Sequence, residues 1–156
     1  MNTKITENHW VFNDFPIGSI ERFVECSWSL SMLRFHIEEN KITSTIKNRI
    51  NNHNKMKNIS VLEFDLKSLV HTYRTDTSLN DALEEKETLV WLWFNNSQEL
   101  INENFAGWLR SKLTVRDFYN IRCVFVIKKE NINKVFFNYL EPLYLSSNNI
   151  LKYFDY

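Results

Sequence analysis

The chain has 156 residues, 44% of them apolar and 15% aromatic, with 19 basic and 19 acidic side chains and a formal net charge of zero. That length and apolar content suit one ordinary α/β-sized domain, residues 1–156, with a sizeable core. Zero net charge removes any global electrostatic argument for nucleic acid or an anionic membrane, and two glycines leave little from which to build a phosphate-cradling loop.

Neutrality near working pH does favour association, so a homo- or hetero-oligomer is an open expectation. Cys26 and Cys123 are the only cysteines, and Cys123 falls inside a very apolar run. A disulfide scaffold is therefore not expected, and a reducing cytoplasm is the default location. Residues 1–6 lack the apolar core of a signal peptide. No apolar run reaches the length needed to span a bilayer.

In chain order, Trp10-Val11-Phe12 is a short apolar cluster that reads as a first strand, closed by the turn Asn13-Asp14-Phe15-Pro16. Ser19 can cap a helix, with Arg22 standing where a capping-box Glu would sit. Ile20, Phe23 and Val24 have helical spacing, whereas Cys26, Trp28, Leu30 and Met32 alternate with serines. The reading leans to helix over residues 19–38 and leaves 26–37 open between helix and strand. Residues 41–58 are polar and Asn-rich, with Lys41, Lys47, Arg49, Lys55 and Lys57 and no acid, a loop or a solvated helix. Ser60 to Leu66 alternates and reads as a strand. Ser78 is read as the cap of a short acidic helix, with Asp81 at the capping-box position.

Leu89 to Phe94 is an unbroken apolar run, and Ile121 to Ile127 is nearly so. Runs apolar on successive residues suit strands buried on both faces, as in parallel sheets covered by helices. Between them Ile101, Phe105, Trp108, Leu109 and Leu113 form one stripe of a helix predicted over Gln98 to Leu113, making a βαβ unit. Ile132, Val135, Phe136, Tyr139 and Leu140 repeat the helical pattern until Pro142 ends it. Ile150 to Phe154 is an apolar tail. The expected fold is a single α/β domain, an open and mainly parallel sheet of three to five strands covered by helices.

The succession Val61 to Leu66, Ser78 to Glu85, Leu89 to Phe94, Phe105-Ala106-Gly107-Trp108-Leu109 and Arg122 to Ile127 resembles the nucleotide-binding domain of STAND-type P-loop NTPases. The resemblance covers Ser60 to Lys129, about half of the chain. It places the phosphate loop at Asn13 to Ile20, where Asp14-Phe15-Pro16-Ile17-Gly18-Ser19 lacks the second glycine and the lysine. It places the metal-organising acid after Phe94, where Asn95 and Asn96 stand. It therefore implies a degenerate member without nucleotide hydrolysis and without a bound cofactor. Such domains in bacterial conflict systems look like adaptors between sensors and effectors.

Three constellations compete as sites. Asp65-Leu66-Lys67 with Glu63 resembles the acidic-x-lysine half of a restriction-nuclease-like metal site, which also needs an upstream acid, Asp14 being the only obvious candidate. The plainer alternative is a strand edge with solvated charges. Cys26 with His36 or His71 could form a nucleophile and base, but only within hydrogen-bond reach and with a third group orienting the base; a small core cysteine is the simpler reading. The four histidines share no zinc-ligand spacing. The basic run including Lys47 and Arg49 could meet phosphates or an acidic partner, against a solvated segment.

The aromatic load is the most unusual feature. Trp91 and Trp93 share a strand face, and Phe105 and Trp108 lie on the predicted covering helix. Core packing accounts for most of them, while Trp28, Trp108, Tyr139 and Tyr144 are candidates for a partner surface, together with Lys47 and Arg49. The reading is a non-catalytic protein-interaction domain, an adaptor or regulatory subunit in a bacterial or phage defence or toxin-control system. Its partner would be an effector, sensor or toxin, with nucleic acid not favoured and no membrane. The alternatives are a toxin-neutralising immunity protein presenting Asp76, Asp81, Glu84, Glu85 and Glu87, and a metal-dependent nuclease using Glu63, Asp65 and Lys67.

Overall fold

The computed structural model describes residues 17–114 and 120–156. The expected strand at Trp10–Phe12, the residue Asp14 and most of the expected phosphate-loop segment lie outside the described residues. The two apolar runs become neighbouring strands, β3 (Val90–Asn95) and β4 (Ile121–Ile127), paired in parallel from Val90 with Ile121 to Phe94 with Phe125. Each is buried on both faces, as the unbroken apolar pattern requires. The one charge in the pair, Arg122, is fully buried. Its Nε donates to the Ser27 carbonyl at 2.8 Å, and its guanidinium lies 4.4 Å from the Trp28 ring centroid.

The remaining strands are β1 (Arg34–Glu38), β2 (Ser60–Asp65) and the two-residue β5 (Asn148–Asn149). The sheet order is β2-β3-β4-β1-β5, and every named pairing is parallel. Helices cover both faces. On the first lie α1 (Ile20–Ser29) and α2 (Ser44–Met56) with the C-terminal tail, enclosing Phe35, Ile37, Trp91, Trp93, Val124 and Val126. On the second lie α3 (Leu66–Leu69), α4 (Thr77–Glu84), α5 (Glu103–Thr114) and α6 (Ile132–Phe136), over Leu92, Phe94, Cys123, Phe125 and Ile127. Among the described residues no helix is long and apolar enough to cross a membrane.

Several boundaries differ from the sequence reading, each for a local reason. The helix expected over 19–38 stops at Ser29; Ser31 takes a left-handed φ of 52° and the chain re-enters the sheet as β1. The polar run 41–58 is a helix, because Thr43 accepts a capping bond from Ile46 N at 3.1 Å and Ile46, Ile50 and Asn54 form a narrow buried stripe. Asp76, not Ser78, caps α4, accepting from Leu79 N at 2.9 Å. The helix predicted from Gln98 is a 3₁₀ turn (Ser97–Ile101) followed by α5, which Asn102 opens by accepting from Phe105 N at 3.1 Å. The last helix ends at Phe136, where Asn138 turns its side chain back on Leu140 N at 3.1 Å, and does not reach Leu140. Trp91 and Trp93 do share a face, but Phe105 and Trp108 pack on the other one.

Two neighbouring strands send their connections to opposite faces. β1 leads into α2 on the first face, and β4 leads into α6 on the second. In open α/β sheets the crevice at the carboxyl ends of such strands is where ligands and partners are accommodated.

Candidate functional site

A cleft of about 550 Å³ lies next to that crevice on the second face, lined by β1, β5 and the segment from Lys129 through α6 to Phe137. Its floor comes from β1, whose alternation sends Phe35 and Ile37 to the first face and Arg34, His36 and Glu38 to the second. His36 is buried, and its Nδ1 shares a 2.8 Å hydrogen bond with Ser147 Oγ. Its ring stacks on Phe136 with centroids 5.1 Å apart and meets Phe137 edge-on at 6.0 Å. Burial, and then the positive charge of Lys152, lower the His36 pKa to about 4, so the imidazole is neutral at neutral pH. Glu38 lies 3.6 Å from Lys41 through Oε1, while its buried Oε2 has no hydrogen-bond partner among the described residues. Lys129, Lys152, Asn133, Asn148 and Asn149 supply the polar walls.

One rim of the cleft is apolar. Phe137 and Leu145 line it, and the segment between them carries Tyr139, Leu140 and Tyr144. Tyr139 is 76% exposed and Leu140 71%. These five residues are half of the ten large apolar side chains found exposed among the described residues, gathered within one turn of chain. The segment is held in place. Leu145 N donates to the Phe136 carbonyl at 2.8 Å, and Leu145 itself adopts a left-handed φ of 52°. A bulky residue pays strain for that conformation, which surrounding contacts must fix.

The His36–Ser147 contact brings a hydroxyl and an imidazole together, but His36 meets aromatic rings elsewhere and has no third group orienting it among the described residues. Nucleophilic catalysis relies on such an oriented base, with a pKa nearer the operating pH. The pairing of Cys26 with His36 does not form: Cys26 packs against the first-face core, and His36 stacks within the second-face layer. His71 is exposed on the segment between α3 and α4.

Glu63 and Asp65 do lie on one side of β2, but both carboxylates are occupied. Glu63 is ion-paired with Lys47 and accepts from Asn95 Nδ2 at 2.6 Å. Lys47 and Asn95 hold its pKa below the ordinary glutamate value against the opposing effect of burial. Asp65 caps α3 through Lys67 N at 3.0 Å and accepts from Asn96 Nδ2 at 2.7 Å. Asn95 and Asn96, read from sequence as missing acids, are thus amide partners of the acids on β2. No group of three or more His, Cys, Asp or Glu side chains is placed to hold a metal ion among the described residues.

The remaining candidates separate by environment. Trp28 is half-buried, donating Nε1 to Asn54 Oδ1 at 2.9 Å; Trp108 is half-buried against Tyr73. Arg49 makes a two-point contact with Glu21 at 2.9 and 2.6 Å. Tyr139 and Tyr144 alone of the aromatic candidates stand at the surface of the cleft region. In the acidic set, Asp76 is a cap, Glu84 bonds Lys112, and Glu85 accepts from the backbone of Lys86, Glu87 and Thr88. Sequence reasoning missed Phe137, Leu140, Leu145, His36 with Ser147, and Lys152 as neighbours. The only available signal was the crowding of large apolar residues around Pro142.

Comparison with protein-family models, with curated proteins and with solved structures finds no match to this chain.

Proposed function

We propose that this chain is a non-catalytic protein-interaction domain, an adaptor or regulatory subunit of a bacterial or phage defence or toxin-control system. Its binding surface is the ridge from Phe137 to Leu145 with the adjoining cleft. The observation that carries the reading is the concentration of exposed large apolar side chains on that one fixed segment. Contiguous apolar surface rimmed by polar groups marks partner sites, and tyrosine is a preferred hot-spot residue. Lys129 and Lys152 beside the ridge favour a partner segment that carries an acidic group next to an apolar one. The biological setting rests on the resemblance to degenerate STAND-type domains, which is an analogy of pattern.

The experiment is co-purification with the products of the flanking genes, comparing the natural chain with a Tyr139→Ala, Leu140→Ser double variant. A stoichiometric protein recovered with the natural chain and lost with the folded double variant supports the proposal. A partner retained by that variant, or Mg²⁺-dependent DNA cleavage abolished by Asp65→Ala, rejects it.

A further inference from the structure

Among the described residues the outer edge of β2 leaves a full strand of backbone without a ladder. Within those described residues β2 ends the sheet and pairs only with β3, residue for residue from Ser60–Val90 to Asp65–Asn95. Ser60 N donates to the Leu89 carbonyl at 3.1 Å, so Ser60, Leu62 and Phe64 direct their backbone groups towards β3. Strand alternation then turns those of Val61, Glu63 and Asp65 outward. Proteins commonly blunt such edges with proline, charged side chains (lysine above all), a bulge or a very short strand. Ser60–Asp65 has no proline and no lysine, its ladder is unbroken, and Leu62 is 40% exposed. At the opposite edge β5 is two residues long. The two charges of β2 are drawn aside by Lys47, Asn95 and Asn96.

We infer that the β2 edge is a self-association surface, on which a second copy of this chain pairs its own β2 antiparallel about a two-fold axis at Leu62. This joins the two five-stranded sheets into one. The register follows from side-chain placement. Directly opposed residues of an antiparallel pair lie on the same face, so a two-fold pairing that keeps most of the strand is centred on Leu62 or on Glu63. Centred on Glu63, two carboxylates stand face to face, which is destabilising. Centred on Leu62, Leu62 meets Leu62, Ser60 meets Phe64 and Val61 meets Glu63, with the carboxylates apart. The outward backbone groups of Val61 and Glu63 then exchange hydrogen bonds. Leu62 falls at the non-hydrogen-bonded position, where Cα atoms approach to about 4.5 Å. This surface lies at the other end of the sheet from the Phe137–Leu145 ridge, so it stands independently of the proposed function.

The test combines sedimentation velocity of the whole chain over a concentration series with cross-linking of Leu62→Cys and Val61→Cys, each in a Cys26→Ser background. Dimer formation that rises with concentration is expected, with Leu62→Cys linking under mild oxidation about tenfold faster than Val61→Cys, because about 4.5 Å lies within disulfide span. Leu62→Lys is expected to weaken association by about tenfold or more, with circular dichroism unchanged. A chain that stays monomeric throughout, a Leu62→Lys variant that dimerises as before, or Val61→Cys linking as fast as Leu62→Cys overturns the inference. So does an edge that takes up a strand of a different protein in preference to its own.

Discussion

Trp91 and Tyr139 contribute equally to an aromatic-rich composition, yet they sit in opposite kinds of place. Trp91 is fully buried between β3's neighbours and α1, stacked near-parallel on Phe35 at 6.2 Å and set edge-on to Phe23 at 6.4 Å. Tyr139 stands in solvent on a turn that the backbone holds rigidly from below. The first kind of aromatic stabilises the fold by removing surface from water. The second leaves that gain unrealised until something else covers it. What separates them is the regularity of the backbone beneath: β3 delivers each ring into a helix-covered layer, whereas the chain after Phe136 has left its helix and, among the described residues, has no layer above it.

The contrast can be broken most severely from the buried side. Trp91→Ala should cost about 3–5 kcal/mol in urea unfolding, as large-to-small changes of buried rings do. Trp91→Phe should cost far less, about 1–2 kcal/mol, because the indole Nε1 is buried with no hydrogen-bond partner among the described residues.

The next largest effect lies where the two populations meet, at His36 between Phe136 and Phe137. An unfolded His36 takes its proton near pH 6.5 and the folded one near 4, so in that interval the unfolded state binds more protons. Stability is therefore intact above pH 6.5 and falls as the pH drops towards 4, by on the order of 3 kcal/mol at the end of the window. Unfolding titrations at pH 7.5 and 5 should show a slope that His36→Gln flattens; an unchanged slope would place the effect in other groups. Smallest is the ridge itself. Tyr139→Ala with Leu140→Ser should move stability by no more than about 0.5 kcal/mol, since neither side chain is buried. Thermal unfolding of that variant checks that its lost binding is a surface effect.

The parts of this architecture visible in the sequence are those where one residue type tells the whole story. β3 and β4 are legible because strands buried on both faces need no polar residue, and the two together imply the parallel layered fold. β1 is equally central but reads Arg34-Phe35-His36-Ile37-Glu38, because its second face meets the core only through the buried His36 and otherwise borders a cleft. α2 hid behind its asparagines, since its buried stripe is only Ile46, Ile50 and Asn54. Tyr139 and Tyr144 were named as candidates from composition, but nothing local revealed that His36 and Ser147 meet from opposite parts of the chain.

Strand β1 is made early and completed late. Its partners are β4 and β5, so residues 34–38 find their neighbours only in residues 121–127 and 148–149. During synthesis the ribosome has produced β2 and β3, which can already pair, long before β1 has anything to lie against. Phe35 and Ile37 spend that interval with apolar partners from α1 and α2 but without the β4 ladder beside them. Contacts this distant in sequence slow folding and leave apolar strand surface open to other chains meanwhile. A cell making this protein thus has a chaperone's problem at one defined segment, and it is resolved only when the last strands emerge.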